Sequence, residues 1–438
     1  MYKYIKDSYF SKKIFWSGIF FLPSAPGIAF ILLFISSTLS IKNNYRKLAN
    51  DKWNLVFIVS ALLMPIICIL QPGSIEPLLN NWDKSLTWIG LTNWVLLIFC
   101  FLSFQFFVKT AKDRKILALT IISGSIPVIF SGFAQYVFKI YGPFELLNGF
   151  IIWFQRPLNE NTGMSALFNN QNYAGAWFCI IWPLSLAVLL DSFNKRINKY
   201  ISLSILISIT ISIILTTSRS AWGGLVFLIP LMTGISSLPY LSLIIFVILL
   251  LKIFVITNLV KSDFNNYLKD LIPIKFLREF NPENFYGRES RIEIWSNAIK
   301  FISQRPILGW GAAAFPVLYF FENNTFIAHS HNLILELAVS YGIPITVIIF
   351  VSIFLICIFS FKKVFANKSF TQTNFYDRAW FSSFIILIYT QLVDIQYFDG
   401  RISIIFWILL AGLKELINTD SLSNKTKLDR SITESPNI

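Results

Sequence analysis

The chain has 438 residues, of which 55% are hydrophobic and only 14% charged, and its formal net charge is +14. Soluble domains carry about 25% charged residues, so this composition excludes a water-soluble globular protein. The basic residues are split among short segments at the edges of apolar runs, which excludes a continuous basic face able to follow a nucleic-acid backbone.

Apolar runs of 18 or more residues, each long enough to cross a bilayer as a helix, recur along the chain. The basic N-terminus is not followed by a small-residue cleavage site, so no removable signal peptide is expected. Segment 14–41 is apolar but broken by Pro23 and Pro26: it is either one span, which would put the basic N-terminus outside, or a proline-broken hairpin, the preferred reading, which keeps it inside. Spans are then expected at 53–70, 86–108, 116–139, 172–190, 200–217, 220–235, 239–260, 333–360, 379–395 and 401–417. The four cysteines (Cys68, Cys100, Cys179 and Cys357) lie within apolar runs without metal or redox spacing and read as packing residues.

Counting spans puts the basic clusters around Lys42–Lys52, Lys109–Lys115, Lys195–Lys199 and Lys362–Arg378, together with the C-terminal tail, on one side, which is therefore cytoplasmic. The expected fold is all-α, a polytopic membrane helix bundle of about 11–12 transmembrane segments. It forms a single integral membrane domain over 1–417, with one large outer loop over 261–332 and a polar, disordered cytoplasmic tail over 418–438.

The outer side collects a small polar set. Arg219 sits in Thr217-Ser218-Arg219-Ser220-Ala221-Trp222, a tight turn between two spans. An outer arginine runs against the positive-inside bias and marks either function or snorkelling at the interface. In the large loop, Ser290-Arg291-Ile292-Glu293 is a capping box. It opens an amphipathic helix from Arg291 to Ser303, with Ile294, Trp295, Ala298, Ile299 and Ile302 as its apolar stripe. The helix is expected on the membrane surface or on the bundle, ending before Pro306. Arg288 and Arg291 at its N-terminus suit a phosphate or pyrophosphate, or are solvated surface charges.

Both histidines of the chain lie in His329-Ser330-His331-Asn332, at the mouth of the 333–360 span. His331 can serve as a general base or cap the helix start. With no third histidine and no nearby cysteine, a zinc site is not expected. Asp394, Asp399 and Arg401 at the last outer turn either complete the polar site or form a structural ion pair.

Four patterns together resemble the O-antigen ligase and polymerase superfamily of bacterial inner-membrane proteins. They are Ser218-Arg219-Ser220-Ala221-Trp222; Ser290-Arg291-Ile292-Glu293-Ile294-Trp295 followed by Arg305-Pro306-Ile307-Leu308-Gly309-Trp310-Gly311; His331-Asn332-Leu333-Ile334-Leu335-Glu336-Leu337 followed by Tyr341-Gly342-Ile343; and Phe168-Asn169-Asn170-Gln171-Asn172-Tyr173-Ala174. In the last, Asn170-Gln171-Asn172 stands where the family has Asn-Pro-Asn. The resemblance covers residues 160 to 417 and extends to the N-terminal third only in hydropathy.

The resemblance implies a multi-helix bundle with a large periplasmic loop in the bacterial inner membrane. It implies a lipid-linked oligosaccharide transferase, ligase or polymerase, that moves a glycan from undecaprenyl pyrophosphate to the hydroxyl of a lipid or glycan acceptor, without metal or cofactor. Arg219 and Arg291, assisted by Arg288, would bind the donor pyrophosphate, and His331 would be the base. Asn332, Asp394, Asp399 and Arg401 are supporting candidates from their position in the sequence and not from the resemblance. Besides the donor and acceptor, the expected partners are membrane lipids, and no nucleic acid. The alternative from another class is an inorganic-carbon (bicarbonate) transporter, which should show paired broken helices and repeated halves; no repeated halves are visible in the sequence. A structural scaffold for envelope assembly is a third reading.

Overall fold

The computed structural model describes residues 2–71, 83–149, 151–159, 162–193, 196–243, 246–247, 250, 290–366 and 372–433. Helix makes up 77% of it, and the only sheet among the described residues is a two-stranded hairpin, Phe144–Leu146 (β1) against Ile151–Trp153 (β2), so the all-α class holds.

Proline chemistry starts the bundle. Helix α1 (Tyr2–Phe21) stops ahead of Pro23, and α2 (Pro26–Ala49) restarts with Pro26 at its first position, where a missing N–H leaves no bond unmade. The two helices pack on each other, and the Ser11 hydroxyl donates to Ser36 O at 3.1 Å. Segment 14–41 is therefore a hairpin and not one span.

Next come α3 (Lys52–Leu70), α4 (Ser85–Phe104) and α5 (Ala111–Val137). Asp51 caps α3 by accepting from the Trp53 and Asn54 amides, and Thr110 with Asp113 forms a reciprocal capping box on α5. The helix α4 contains a π turn at Thr92–Leu96. After the β hairpin follow α6 (Gln171–Asp191), α7 (Arg196–Leu215) and α8 (Arg219–Thr233). Beyond the large loop come α9 (Arg291–Gln304), α10 (Ala314–Asn323), α11 (Leu333–Tyr341), α12 (Ile343–Ala366), α13 (Gln372–Val393) and α14 (Gly400–Thr433). Among the described residues, six helices are long and apolar enough to cross a membrane: α3, α4, α5, α6, and the apolar stretches of α7 and α12. The expected span at 239–260 lies largely outside the described residues. The backbone of α14 continues as helix through most of the polar tail that composition read as disordered.

The expected span 333–360 is interrupted. Gly342 has φ +82°, and a Cβ there would lie 2.1 Å from Ile307 O. A side chain at 342 is excluded both by that backbone conformation and by this contact. The Ile343 amide donates to Pro306 O at 2.7 Å, so the chain leaving α9 sets the break from outside. The outcome is a short helix, α11, that stands at the end of the bundle ahead of the long helix α12.

The centre of the bundle is α6, α13 and the apolar half of α14. Trp177, Trp380 and Trp407 are its largest fully buried side chains. Each indole N–H finds an acceptor: Ser125 Oγ at 3.0 Å, Leu409 O at 2.7 Å and Tyr397 Oη at 2.8 Å. In an apolar surrounding an unpaired N–H would be costly, so these bonds fix helix rotation as well as contact.

Charge sorts the two ends. Lys12 pairs with Asp113 at 2.7 Å, Arg114 with Asp377 at 2.5 Å and Lys115 with Asp191 at 2.5 Å, while Lys414 reaches Asp51. These pairs tie α1, α3, α5, α6, α13 and α14 at the end that carries the basic loops. The loops at the opposite end bond to one another: Met164 N donates to Leu215 O at 2.9 Å, and the Gln71 amide donates to Leu308 O at 2.6 Å.

The helix α9 belongs to this second end. Ser290 Oγ accepts from the Glu293 amide at 3.2 Å, the N-cap half of the expected capping box. Its buried stripe is Ile294, Ala298, Phe301 and Ile302, packed on α10 and α11 through Phe315, Leu318 and Val339. Ile299, expected in the stripe, is 58% exposed; Phe301 takes its place. The helix rests on the bundle and carries Arg291 to the site.

Candidate functional site

The site is organised around one carboxylate. Asp394 follows directly on α13, and its Oδ1 lies 2.6 Å from His331 Nδ1 and 3.8 Å from Arg291 Nη2. Its Oδ2 accepts from Asn172 Nδ2 at 2.9 Å. Four segments distant in sequence meet here: the start of α6, the start of α9, the turn before α11 and the end of α13.

Local capping places each partner. Asn170 caps α6 by accepting from the Asn172 amide at 2.8 Å, which leaves the Asn172 side chain for Asp394. Asn332 caps α11, accepting from the Ile334 and Leu335 amides at 3.0 and 3.2 Å. Its own amide donates to Leu392 O at 3.1 Å and ties α11 to the end of α13. His331 itself has φ +55°, a left-handed conformation that costs a non-glycine residue about 1–3 kcal/mol. That strained backbone turns the imidazole onto Asp394. A carboxylate only accepts, so Nδ1 carries the hydrogen and Nε2 is the basic nitrogen.

His329 supports the turn. Its Nδ1 accepts from the His331 amide at 3.2 Å, and the two rings meet edge to face with centroids 4.3 Å apart. Burial lowers the His329 pKa; Asp394 opposes the shift and Arg291 adds to it. A base with a depressed folded pKa binds fewer protons folded than unfolded. Its stabilising effect is therefore full above the unfolded value of about 6.5 and is lost as pH falls from there toward the folded value. Protonating His329 also removes the acceptor for the His331 amide. We expect thermal stability to fall between pH 7 and pH 5, and the acid-side loss to shrink in His329→Gln, measured by unfolding temperature in lipid nanodiscs. An unchanged acid limb in that variant would assign the loss to another group.

Arg291 is drawn partly out of solvent; burial depresses its pKa, Asp394 raises it and the charge of Arg219 depresses it further. Arg219 opens α8 just after Thr217, whose φ is +51°, and lies close enough to Arg291 for that repulsion to register. Two like charges thus stand close together with Asp394 beside Arg291, the electrostatics of an anion site.

Asp399 and Arg401 resolve as an ion pair. Arg401 Nε and Nη2 donate to Asp399 at 2.9 and 2.5 Å, and Nη1 donates to Leu167 O at 2.9 Å. The guanidinium lies 3.6 Å from the centroid of the Phe168 ring. The pair anchors the loop that leads into Asn170 and Asn172, and so acts on the site from behind. Arg288 lies outside the described residues.

His329, His331 and Asp394 offer ligand atoms within 4.8 Å of one another, a grouping the spacing of the sequence did not suggest because Asp394 is 63 residues away. The fit to a cation is poor. His331 Nδ1 and Asp394 Oδ1 are at hydrogen-bond distance, whereas two ligands of tetrahedral zinc stand roughly 3.3 Å apart. Arg291 already supplies positive charge at the same oxygen.

A family model described as O-antigen ligase matches residues 203–350. Over that third of the chain the protein is similar to the O-antigen ligase family. No curated protein matches the chain. Arg219, Arg291 and His331 all fall inside the matched O-antigen ligase region, whereas Asn172 and Asp394 come from helices outside it. Asn172 is the site residue that sequence reasoning missed. Its signal was the Asn-rich turn ahead of α6, but only the fold shows that one of those asparagines holds Asp394.

Proposed function

We propose that this protein is a member of the O-antigen ligase superfamily and a metal-independent, inverting glycosyltransferase of the ligase or polymerase type. It moves a glycan from undecaprenyl pyrophosphate to an acceptor hydroxyl, at the periplasmic face of the bacterial inner membrane. The observation that carries this reading is Asp394, which holds the base His331 and the cation Arg291 on one carboxylate oxygen.

The chemistry follows from that arrangement. His331 Nε2 takes the acceptor's hydroxyl proton as the acceptor oxygen bonds to the anomeric carbon. The bond from that carbon to the pyrophosphate oxygen breaks, and undecaprenyl pyrophosphate leaves with the electron pair. Arg291 and Arg219 hold the negative charge that grows on it, so no strong acid is required. Attack opposite the leaving group inverts the anomeric centre, by analogy with inverting hydrolases. Asp394 steadies the imidazolium and keeps Nε2 as the acceptor.

Reconstitution with an undecaprenyl-pyrophosphate-linked glycan and an acceptor tests the reading. The expected products are undecaprenyl pyrophosphate and a glycoside of inverted configuration, read by mass spectrometry and NMR. A product that keeps the donor's configuration would rule out the single displacement.

A further inference from the structure

The His331 turn has a second side. Ser330, between the two histidines, donates its amide to Glu336 Oε2 at 2.8 Å, and Glu336 lines a cavity of about 290 Å³. The cavity lies between α4, the 312–316 segment and α11, with Trp94, Ala312 and Leu337 among its apolar walls. At a share of about 30 Å³ per water-sized group it has room for about ten such groups.

Three observations mark it as a binding site and not a packing defect. The Tyr341 hydroxyl, on a ring 1% exposed, lines it and has no hydrogen-bond partner among the described residues. Tyr397 nearby shows the ordinary arrangement, donating to Asn93 O and accepting from Trp407, both at 2.8 Å. A buried hydroxyl left unmade is costly, and in the Tyr341 case the facing position is Gly90, where an added Cβ would come within 3.2 Å of the hydroxyl. Second, α4 takes its π turn where Asn93 and Trp94 reach the wall, the kind of helix distortion that gathers at functional sites. Third, among the described residues the cavity is lined by no lysine or arginine, and its walls are mostly apolar. Burial pushes the Glu336 carboxyl toward its neutral form, which suits an uncharged guest.

We propose that this cavity binds the apolar, oxygen-bearing part of the acceptor, an uncharged amphiphile whose hydroxyl or carbonyl oxygen accepts a hydrogen bond from Tyr341. The word acceptor rests on the glycosyl-transfer reading; the binding itself does not. The two substrates are thereby divided by charge. The anionic donor head goes to Arg291 and Arg219, and the neutral acceptor body goes to the cavity behind the Ser330–Glu336 bond.

The probe is octan-1-ol carrying a diazirine, photolysed with the full-length protein in nanodiscs, with labelled residues mapped by mass spectrometry. The expected result is labelling within 86–94 or 312–316 that unlabelled octanol displaces and octyl phosphate does not. Tyr341→Phe should weaken displacement by about tenfold, the value of one hydrogen bond. Its unfolding temperature should be unchanged or higher, because the lost hydroxyl has no partner among the described residues. A lower unfolding temperature would show a structural tyrosine and overturn the proposal. So would labelling confined to the outer surface of the bundle, equal displacement by octyl phosphate, or wild-type displacement in Tyr341→Phe. Turnover is not needed for this readout. A protein that takes up octanol but transfers no glycan would sink the transferase reading and leave the cavity standing.

Discussion

His331→Ala lowers the rate of glycan transfer by about 10²–10⁴, the usual contribution of a positioned general base, and leaves donor binding near its wild-type level. The split follows from geometry. His331 meets Asp394 through Nδ1, so the nitrogen proposed to meet the acceptor is the opposite one, while Arg291 reaches the same carboxylate oxygen. Asp394→Asn should cost nearly as much rate for another reason. An amide can donate to Nδ1, which would leave the hydrogen on Nε2 and present the acceptor with the wrong tautomer. The same change removes the charge facing Arg291, so its donor affinity should shift where that of His331→Ala does not. Single-turnover rates at saturating donor, with donor binding measured separately, decide it. If His331→Ala kept its rate within about a factor of ten of wild type, His331 would not be the base.

The elements of this site were legible in the sequence to different degrees. Bilayer-length apolar runs and the placement of Lys and Arg showed α3 through α6 and the two polar ends, because lipid allows few ways to satisfy a backbone. The capping box at Ser290 and Glu293 located α9 to within a residue, since a cap is a local interaction. The break at Gly342 was not legible. The residues around it are apolar on both sides, and glycine is common in membrane helices. Only its approach to Pro306 and Ile307, 36 and 35 residues earlier, forces the left-handed turn. The role of Asp394 was hidden for the same reason. It sat beside Asp399 and Arg401 as one of three charges in a turn, and nothing local separated the one facing His331 from the two that neutralise each other. Periodicity also misplaced one position of the α9 stripe, where Phe301 and not Ile299 meets Phe315, at a ring-centroid distance of 6.0 Å.

Arg291→Ala should reduce transfer by about 10²–10³, with Arg219→Ala comparable, because in the proposed reaction each removes a cation from the departing pyrophosphate. The two should not behave alike at the level of the protein. Arg291 is tied to Asp394 at 3.8 Å and offsets charge at the carboxylate that orients His331. Its loss takes a cation away from the oxygen that meets His331, so a second effect on the base is built in. Arg219 opens α8 and acts on Arg291 by repulsion, so removing it relieves Arg291 in the empty protein. Arg219→Ala should therefore weaken binding of the undecaprenyl-pyrophosphate donor and leave the pH dependence of transfer unmoved, whereas Arg291→Ala should move both. Lysine at either position restores charge but not the two-pronged geometry suited to a pyrophosphate, and should recover only part of the loss. Additivity is the sharper test. Groups that grip one anion are coupled, so the double variant should fall short of the sum of the single losses. Full additivity, with donor affinity unchanged in both single variants, would mean that the two arginines do not share a pyrophosphate.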